Sequence, residues 1–211
     1  MDMRGQPPRR ESGVPSLLLP LGFLLAALLL VICTLPYLMT SPEQQALATV
    51  GGPFRLADSG GTVTERSWPG KFLLVYFGYT HCPSACPTTL ASIGSALDRL
   101  GPAADRVQPL FITVDPVRDT PAAMGRYVAL FSPRLAGLSG TPDQISDAAT
   151  RFRIFIARHQ TGPGPDDYEM EHSHVVYLMS PTGHLARAIP ADATPEAMAS
   201  EIAKIVAPRS I

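Results

Sequence analysis

Two cysteines four residues apart, Cys82 and Cys86, close an apolar run in the stretch YFGYTHCPSACPTTL, and each is followed by proline. The remaining cysteine, Cys33, lies inside an N-terminal apolar segment and reads as filler there, so thiol chemistry elsewhere in the chain belongs to this pair. The stretch reads as strand, loop and helix, with the cysteines where the helix begins and Pro83 suited to its first turn. Free N–H groups and the helix dipole at that end favour thiolate, the reactive and metal-binding form. Residues four apart on a helix share a face, so the pair is placed to close a disulfide or to grip one ion. A purely structural bridge over so short a loop would constrain the unfolded chain little. The C-x-x-x-C spacing departs from the C-x-x-C of thioredoxin-type redox motifs. A soft metal is the sharper reading: two thiolates and one imidazole suit Cu(I), and the same donors hold Cu(II) when a fourth group or water approaches.

That donor set requires a histidine, and the candidates are His81, His159, His172, His174 and His184. His81 adjoins Cys82 on a tight turn and is expected to point away, acting at most on thiol acidity. His159 falls in the polar run HQTGPGPDDYEMEHSH and is expected in a solvated loop; His184 follows a turn glycine and is expected to be exposed. His172 and His174 sit two apart before an apolar strand, and alternation predicts that they face opposite sides, so that one at most reaches the cysteines. Asp115, closing VQPLFITVD before a proline, reads either as a turn cap or as a support beside the cysteine loop. Arg118 and Asp119 read as a solvated turn.

The elements that must position these residues follow from periodicity. A short strand over Phe54 to Asp58 turns at Gly60-Gly61, and Lys71 to Tyr79 reads as a buried strand feeding a helix from about Cys82 to Leu100. Val107 to Val114 is a second buried strand. Thr120-Pro121, Thr141-Pro142 and Thr194-Pro195 mark helix starts, with threonine as N-cap and proline in the first turn, for helices ending near Phe131, Phe152 and Val206. Val175 to Met179 and His184 to Ile189 form a hairpin around Ser180-Pro181-Thr182-Gly183. This order predicts an α/β fold with a central mixed sheet, and a thioredoxin-like fold satisfies it.

The chain has 211 residues, 45% of them hydrophobic, and a formal charge of −1, which argues against nucleic acid as a partner. Leu17 to Met39 carries no charge and, at ~35 Å as a helix, is long enough for a hydrocarbon core of about 30 Å. Arg4, Arg9 and Arg10 precede it and no basic residue follows until Arg55, so the positive-inside bias predicts a cytoplasmic tail (1–16), a transmembrane anchor (17–39), a linker (40–53) and an exported domain (54–211). A cleaved signal ending at Ala46-Leu47-Ala48 is the competing reading, and it leaves the domain in the same compartment. Arginine outnumbers lysine, of which the chain has only Lys71 and Lys204, and alanine and proline are plentiful, a composition that suggests a GC-rich bacterial source. The expected location is the bacterial inner membrane, with the domain in the periplasm.

Three motifs in order, GKFLLVYFGYTHCPSACPTTL, FITVDPVRDTP and YEMEHSHVVYLMSPTGHL, resemble the SCO/SenC family of copper-handling proteins, over roughly Phe54 to Val206. In that family the last motif reads roughly Y-x-x-D-H-S/T before an apolar strand, and its histidine is the third copper ligand. The residue that matches is His172, followed by Ser173, with Glu171 standing where the family usually has Asp; His174 stands where the family more often has a non-ligand. The resemblance thus implies copper held by Cys82, Cys86 and His172, a dithiol pair that cycles with its disulfide, and a supporting metal or redox role for Asp115. It implies a membrane-anchored metallochaperone, or a thiol reductant, that helps mature the Cu(A) centre on subunit II of cytochrome c oxidase, and it names no copper donor. The rival is an enzyme, a metal-free thiol-disulfide oxidoreductase or peroxidase. Thioredoxin-type reductases place a proline before the strand facing the cysteine helix, where this chain has His172-Ser173-His174, and that favours metal over peptide.

Overall fold

The computed structural model describes residues 18–39 and 50–206. The expected tail, the linker up to residue 49 with its Ala46-Leu47-Ala48 site, and residues 207–211 lie outside the described residues. The chain divides into two units. In the first, helix α1 (Leu18–Met39) contains no charged residue. Among the described residues no helix is long and apolar enough to cross a membrane.

The second unit begins by Val50, which is buried, while the Gly51 N–H donates to the Arg151 carbonyl. Strands β1 (Arg55–Asp58) and β2 (Gly61–Thr64) form a hairpin whose turn is held by Asp58, which accepts from the Gly60 and Gly61 N–H groups. At the centre stands β3 (Phe72–Gly78), buried at every position because both of its faces are covered. It pairs in parallel with β4 (Val107–Thr113) and antiparallel with β8 (Val175–Met179). With β5 (Ala136–Leu138) and β9 (Leu185–Pro190) these make a five-stranded mixed sheet in the order β5-β4-β3-β8-β9. Helix α2 (Ala85–Leu100) makes the crossover from β3 to β4 and packs against α5 (Pro195–Val206). Helices α3 (Pro121–Val128) and α4 (Pro142–Arg151) flank β5 in sequence, and Phe152, just past α4, packs on Phe77 of β3.

All three Thr-Pro starts form as expected. The hydroxyls of Thr120, Thr141 and Thr194 accept from the N–H groups three residues on, and Gln144 returns a bond to the Thr141 N–H. Three expectations are corrected. Helix α2 starts at Ala85 and not at Cys82, because the Cys82 N–H closes a turn onto the Tyr79 carbonyl (3.3 Å) and Ser84 takes the N-cap position. Helix α3 stops at Val128, short of Phe131. The polar run around His159 is no loop: β6 (Ile156–Gln160) and β7 (Tyr168–His172) form a separate antiparallel hairpin, joined by a turn in which Asp167 accepts from the Gly164 N–H.

Candidate metal centre

The β6–β7 hairpin carries His172 to the carboxyl end of β3, where the cysteines lie. Ile156 pairs with His172, and Ser173 pins the end of the hairpin by donating its N–H to the Phe155 carbonyl (3.2 Å) while its hydroxyl accepts from the Phe155 N–H (2.9 Å). His172 is buried, and its Nε2 stands 3.7 Å from Cys86 Sγ. Nδ1 lies 3.1 Å from the Ser173 carbonyl, an acceptor only, so Nδ1 carries the proton and Nε2 turns a lone pair to the thiol. Around the ring, Tyr76 and Tyr79 make edge contacts at 6.2 and 6.3 Å.

Cys86 has no exposed surface, and the Tyr76 hydroxyl donates to its sulfur at 3.8 Å. Burial pushes the Cys86 thiol up to about 12, and burial pulls the His172 imidazolium below its usual 6.5. Both groups are therefore neutral near pH 7 in the metal-free protein, with Cys86 S–H directed at His172 Nε2. Gly78 makes the approach of the sulfur to the sheet feasible, since a Cβ there would lie 2.7 Å from Cys86 Sγ and 2.7 Å from the Phe111 ring. Cys82 is half-buried, its sulfur accepts from the Cys86 N–H at 3.2 Å, and both cysteines are free thiols.

These donors fit a small soft ion. Thiolate and imidazole bound to one ion at roughly 2.3 and 2.0 Å stand about 3.7 Å apart when the bonds open near 120°, which is the Cys86–His172 separation. An ion would take the place of the proton between them. Among the described residues, no group of three or more His, Cys, Asp and Glu side chains is already drawn together to hold a metal. Cys86 and His172 are in contact, and Cys82 stands four residues before Cys86, its sulfur bonded to the Cys86 N–H.

The other candidates have different partners. His174 is exposed and its ring stacks on His172 (4.9 Å between centroids, 16° between planes). The two rings therefore share a side, contrary to the expected alternation, because Ser173 and His174 belong to the connection between β7 and β8 and not to a strand. His159 bonds Glu171 across the hairpin at 2.8 Å, His184 is exposed, and His81 contacts the Thr80 hydroxyl. Asp115 is buried and accepts from the Tyr168 hydroxyl (2.8 Å) and from Arg118, so it fastens the hairpin and does not touch the cysteines.

Arg118 and Asp119 form no solvated turn. Asp119 is fully buried and accepts from the Thr80 N–H (2.9 Å) and from the hydroxyls of Thr80 and Thr113 (2.5 and 2.7 Å), which ties the cysteine loop to β4. Arg118 lies 3.6 Å from the centre of the Tyr168 ring and donates to the Asp166 and Tyr168 carbonyls, which ties the hairpin to the turn after β4. Sequence reading missed both. The one local signal was the crowding of polar residues before a Thr-Pro cap, where solvent exposure is the default.

The lowered His172 value has a measurable consequence. As pH falls, the unfolded chain binds a proton at this ring before the folded chain does. The stability contributed by the neutral ring is complete above 6.5 and is lost below it, at no more than ~1.4 kcal/mol per pH unit for one proton. Urea unfolding of the reduced, metal-free protein at pH 7.5, 6.0 and 5.0 should show a decline that His172→Gln flattens; parallel curves for the two proteins would remove the buried neutral imidazole from the account.

A mixed sheet with a cysteine pair at the carboxyl end of its central strand, and an imidazole delivered from a neighbouring hairpin, defines a thioredoxin-like thiol protein with a built-in nitrogen donor. Residues 42–207 match the SCO1/SenC family, and the chain belongs to that family. It is 39% identical to Protein SenC of Rhodobacter capsulatus over 158 residues, 74% of this chain and 71% of that protein. It is 43% identical to Protein SCO1 homolog 1, mitochondrial, of Arabidopsis thaliana over 136 residues, 64% of this chain but only 40% of that protein. The chain thus spans less than half the length of that plant relative. Among solved structures, Bradyrhizobium japonicum ScoI with copper bound superposes with a TM-score of 0.67 at 43% identity, covering 74% of this chain and 98% of that one.

Proposed function

We propose that this protein is a copper metallochaperone that holds one ion between Cys82, Cys86 and His172 and delivers it during assembly of the Cu(A) centre of cytochrome c oxidase, on subunit II. The observation that carries the reading is the 3.7 Å approach of an imidazole lone pair to a buried thiol whose partner cysteine sits four residues away. Family membership and a copper-bound relative at 43% identity support copper as the cargo, and the family resemblance supports the Cu(A) site as the recipient. Copper binding displaces the two thiol protons, and oxidation of the pair to a disulfide, its two protons and two electrons passing to a partner disulfide that is reduced to two thiols, leaves no thiolate to bind copper. Redox state therefore gates the cargo. The uncharged segment Leu17 to Met39 and the arginines before it support a single-pass anchor in a bacterial inner membrane with the domain in the periplasm; release of the full chain from membranes by alkaline carbonate would overturn the anchor alone.

The test is copper per chain after reduction and anaerobic Cu(I) loading, followed by transfer to a metal-free, reduced Cu(A) domain read by its absorbance. One copper per chain and growth of the Cu(A) bands are expected. His172→Ala deletes a direct ligand and should weaken binding by more than about a hundredfold, beyond the loss typical of supporting residues, while Cys82 and Cys86 still form a disulfide, whereas His174→Ala should change little. The reverse result would reassign the nitrogen ligand, and copper-free wild type would end the chaperone reading.

A further inference from the structure

The hydroxyl of Tyr127 is buried and has no hydrogen-bond partner. A buried phenol without an acceptor is unfavourable, and such a group in a folded protein points to a partner that another functional state supplies. Tyr127 lies on α3, outside the three motifs that carry the family resemblance. Its ring packs on Phe111 at 5.9 Å, and Tyr76 stacks on Phe111 at 5.7 Å, so two phenols flank one ring. The edge of that Phe111 ring and Cys86 Sγ meet over Gly78, each 2.7 Å from the point where a Cβ would stand. Tyr127 and Cys86 are therefore both neighbours of the Phe111 ring. Its own acidity reflects this, since burial first, and then the neighbouring Cys86, Cys82 and Asp119, push the phenol up to about 12. It is a donor, never an acceptor-only phenolate, at neutral pH.

The acceptors nearby are spoken for in the metal-free state. Asp119 is filled by Thr80 and Thr113, and the neutral Cys86 sulfur takes the Tyr76 hydroxyl. Acceptor capacity appears when the cysteines lose their protons to a metal ion, because a thiolate accepts several strong hydrogen bonds where a thiol accepts weakly. We propose that Tyr127 is a positioning residue for the cysteine pair, donating its hydroxyl to the thiolate that copper binding creates and so favouring the loaded state over the empty one. Tyr76 makes its bond in both states; Tyr127 makes it in one. The inference rests on the copper reading above.

The experiment compares the full-length wild type with Tyr127→Phe and Tyr76→Phe, each reduced. In the metal-free proteins, Tyr127→Phe should keep or raise the thermal midpoint, since it deletes an unpartnered buried hydroxyl, whereas Tyr76→Phe should lower it. On loading, Tyr127→Phe should bind Cu(I) about tenfold more weakly and show a smaller copper-induced rise in midpoint. With Cu(II), its sulfur-to-copper charge-transfer band should move to lower energy, because a thiolate relieved of a hydrogen bond is a better electron donor. A Tyr127→Phe protein with wild-type copper affinity and an unmoved band would overturn this proposal and leave the copper site standing. Absence of copper from the wild type would overturn the site and this proposal together.

Discussion

Cys86→Ser is expected to abolish stable copper binding, with affinity falling by more than about a hundredfold, since deleting a direct ligand should exceed the 10- to 100-fold loss typical of its supporting residues. A hydroxyl is a harder donor than a thiol and stays protonated at neutral pH, so it leaves a soft ion with one sulfur and one imidazole. The fold should survive, because a serine hydroxyl at this place still has the Tyr76 hydroxyl and His172 Nε2 as partners. Cys82→Ser should lose copper too, with less effect on stability, as Cys82 is half-buried and Cys86 fully buried. Oxidised wild type should match the serine variants, having no thiolate to offer. Equilibrium competition with a Cu(I) chelator measures each case, and near-wild-type affinity in either serine variant would sink the proposed site.

Asp119→Ala is expected to destabilise the protein by roughly 3 kcal/mol or more, because it orphans three donors: the Thr80 N–H and the Thr80 and Thr113 hydroxyls. That is a large fraction of the ~5–15 kcal/mol that holds a typical domain. The loss falls where it affects the site, since Thr80 stands two residues before Cys82 and Asp119 is its link to β4. Asp119→Asn keeps the volume and one acceptor oxygen and should lie between alanine and wild type. Urea unfolding gives the stability, and the same chelator competition should show weakened copper binding in whatever fraction stays folded. A change below about 1 kcal/mol for Asp119→Ala would mean that these donors find water or other partners and that the loop is not anchored here.

Much of the frame is local physics and was readable in the residues. The buried strand β3, the three Thr-Pro helix starts and the β8–β9 hairpin depend on side-chain alternation, caps and turns that act within a few positions, and they stand where periodicity put them. The thiol pair was legible for the same reason, being the cysteines outside the apolar segment. The β6–β7 hairpin was not: β6 is mostly exposed, so no alternation of apolar and polar residues announced it. Proline at position 83 argued for a helix start, but the turn from Tyr79 to Cys82 and the N-cap at Ser84 delay it and leave only Cys86 on the helix.

Amino-acid order alone determined which groups can bind a soft metal, that two thiols lie within one turn of each other, and, through the family motifs, that His172 is the imidazole to place beside them. Tertiary structure decided which imidazole meets a thiol, because Cys86 and His172 are 86 residues apart and touch only when the hairpin folds over the end of β3. It also decided that His174 stays exposed against the ring of His172, that Asp119 is buried as an acceptor for a loop 39 residues away, and that the hydroxyl of Tyr127 is buried without a hydrogen-bond partner. Local propensity acts over a few residues, whereas burial, desolvation and the pairing of polar groups are properties of what surrounds an atom in space. The candidate donors are therefore set by the chain, and their approach and burial by the packing.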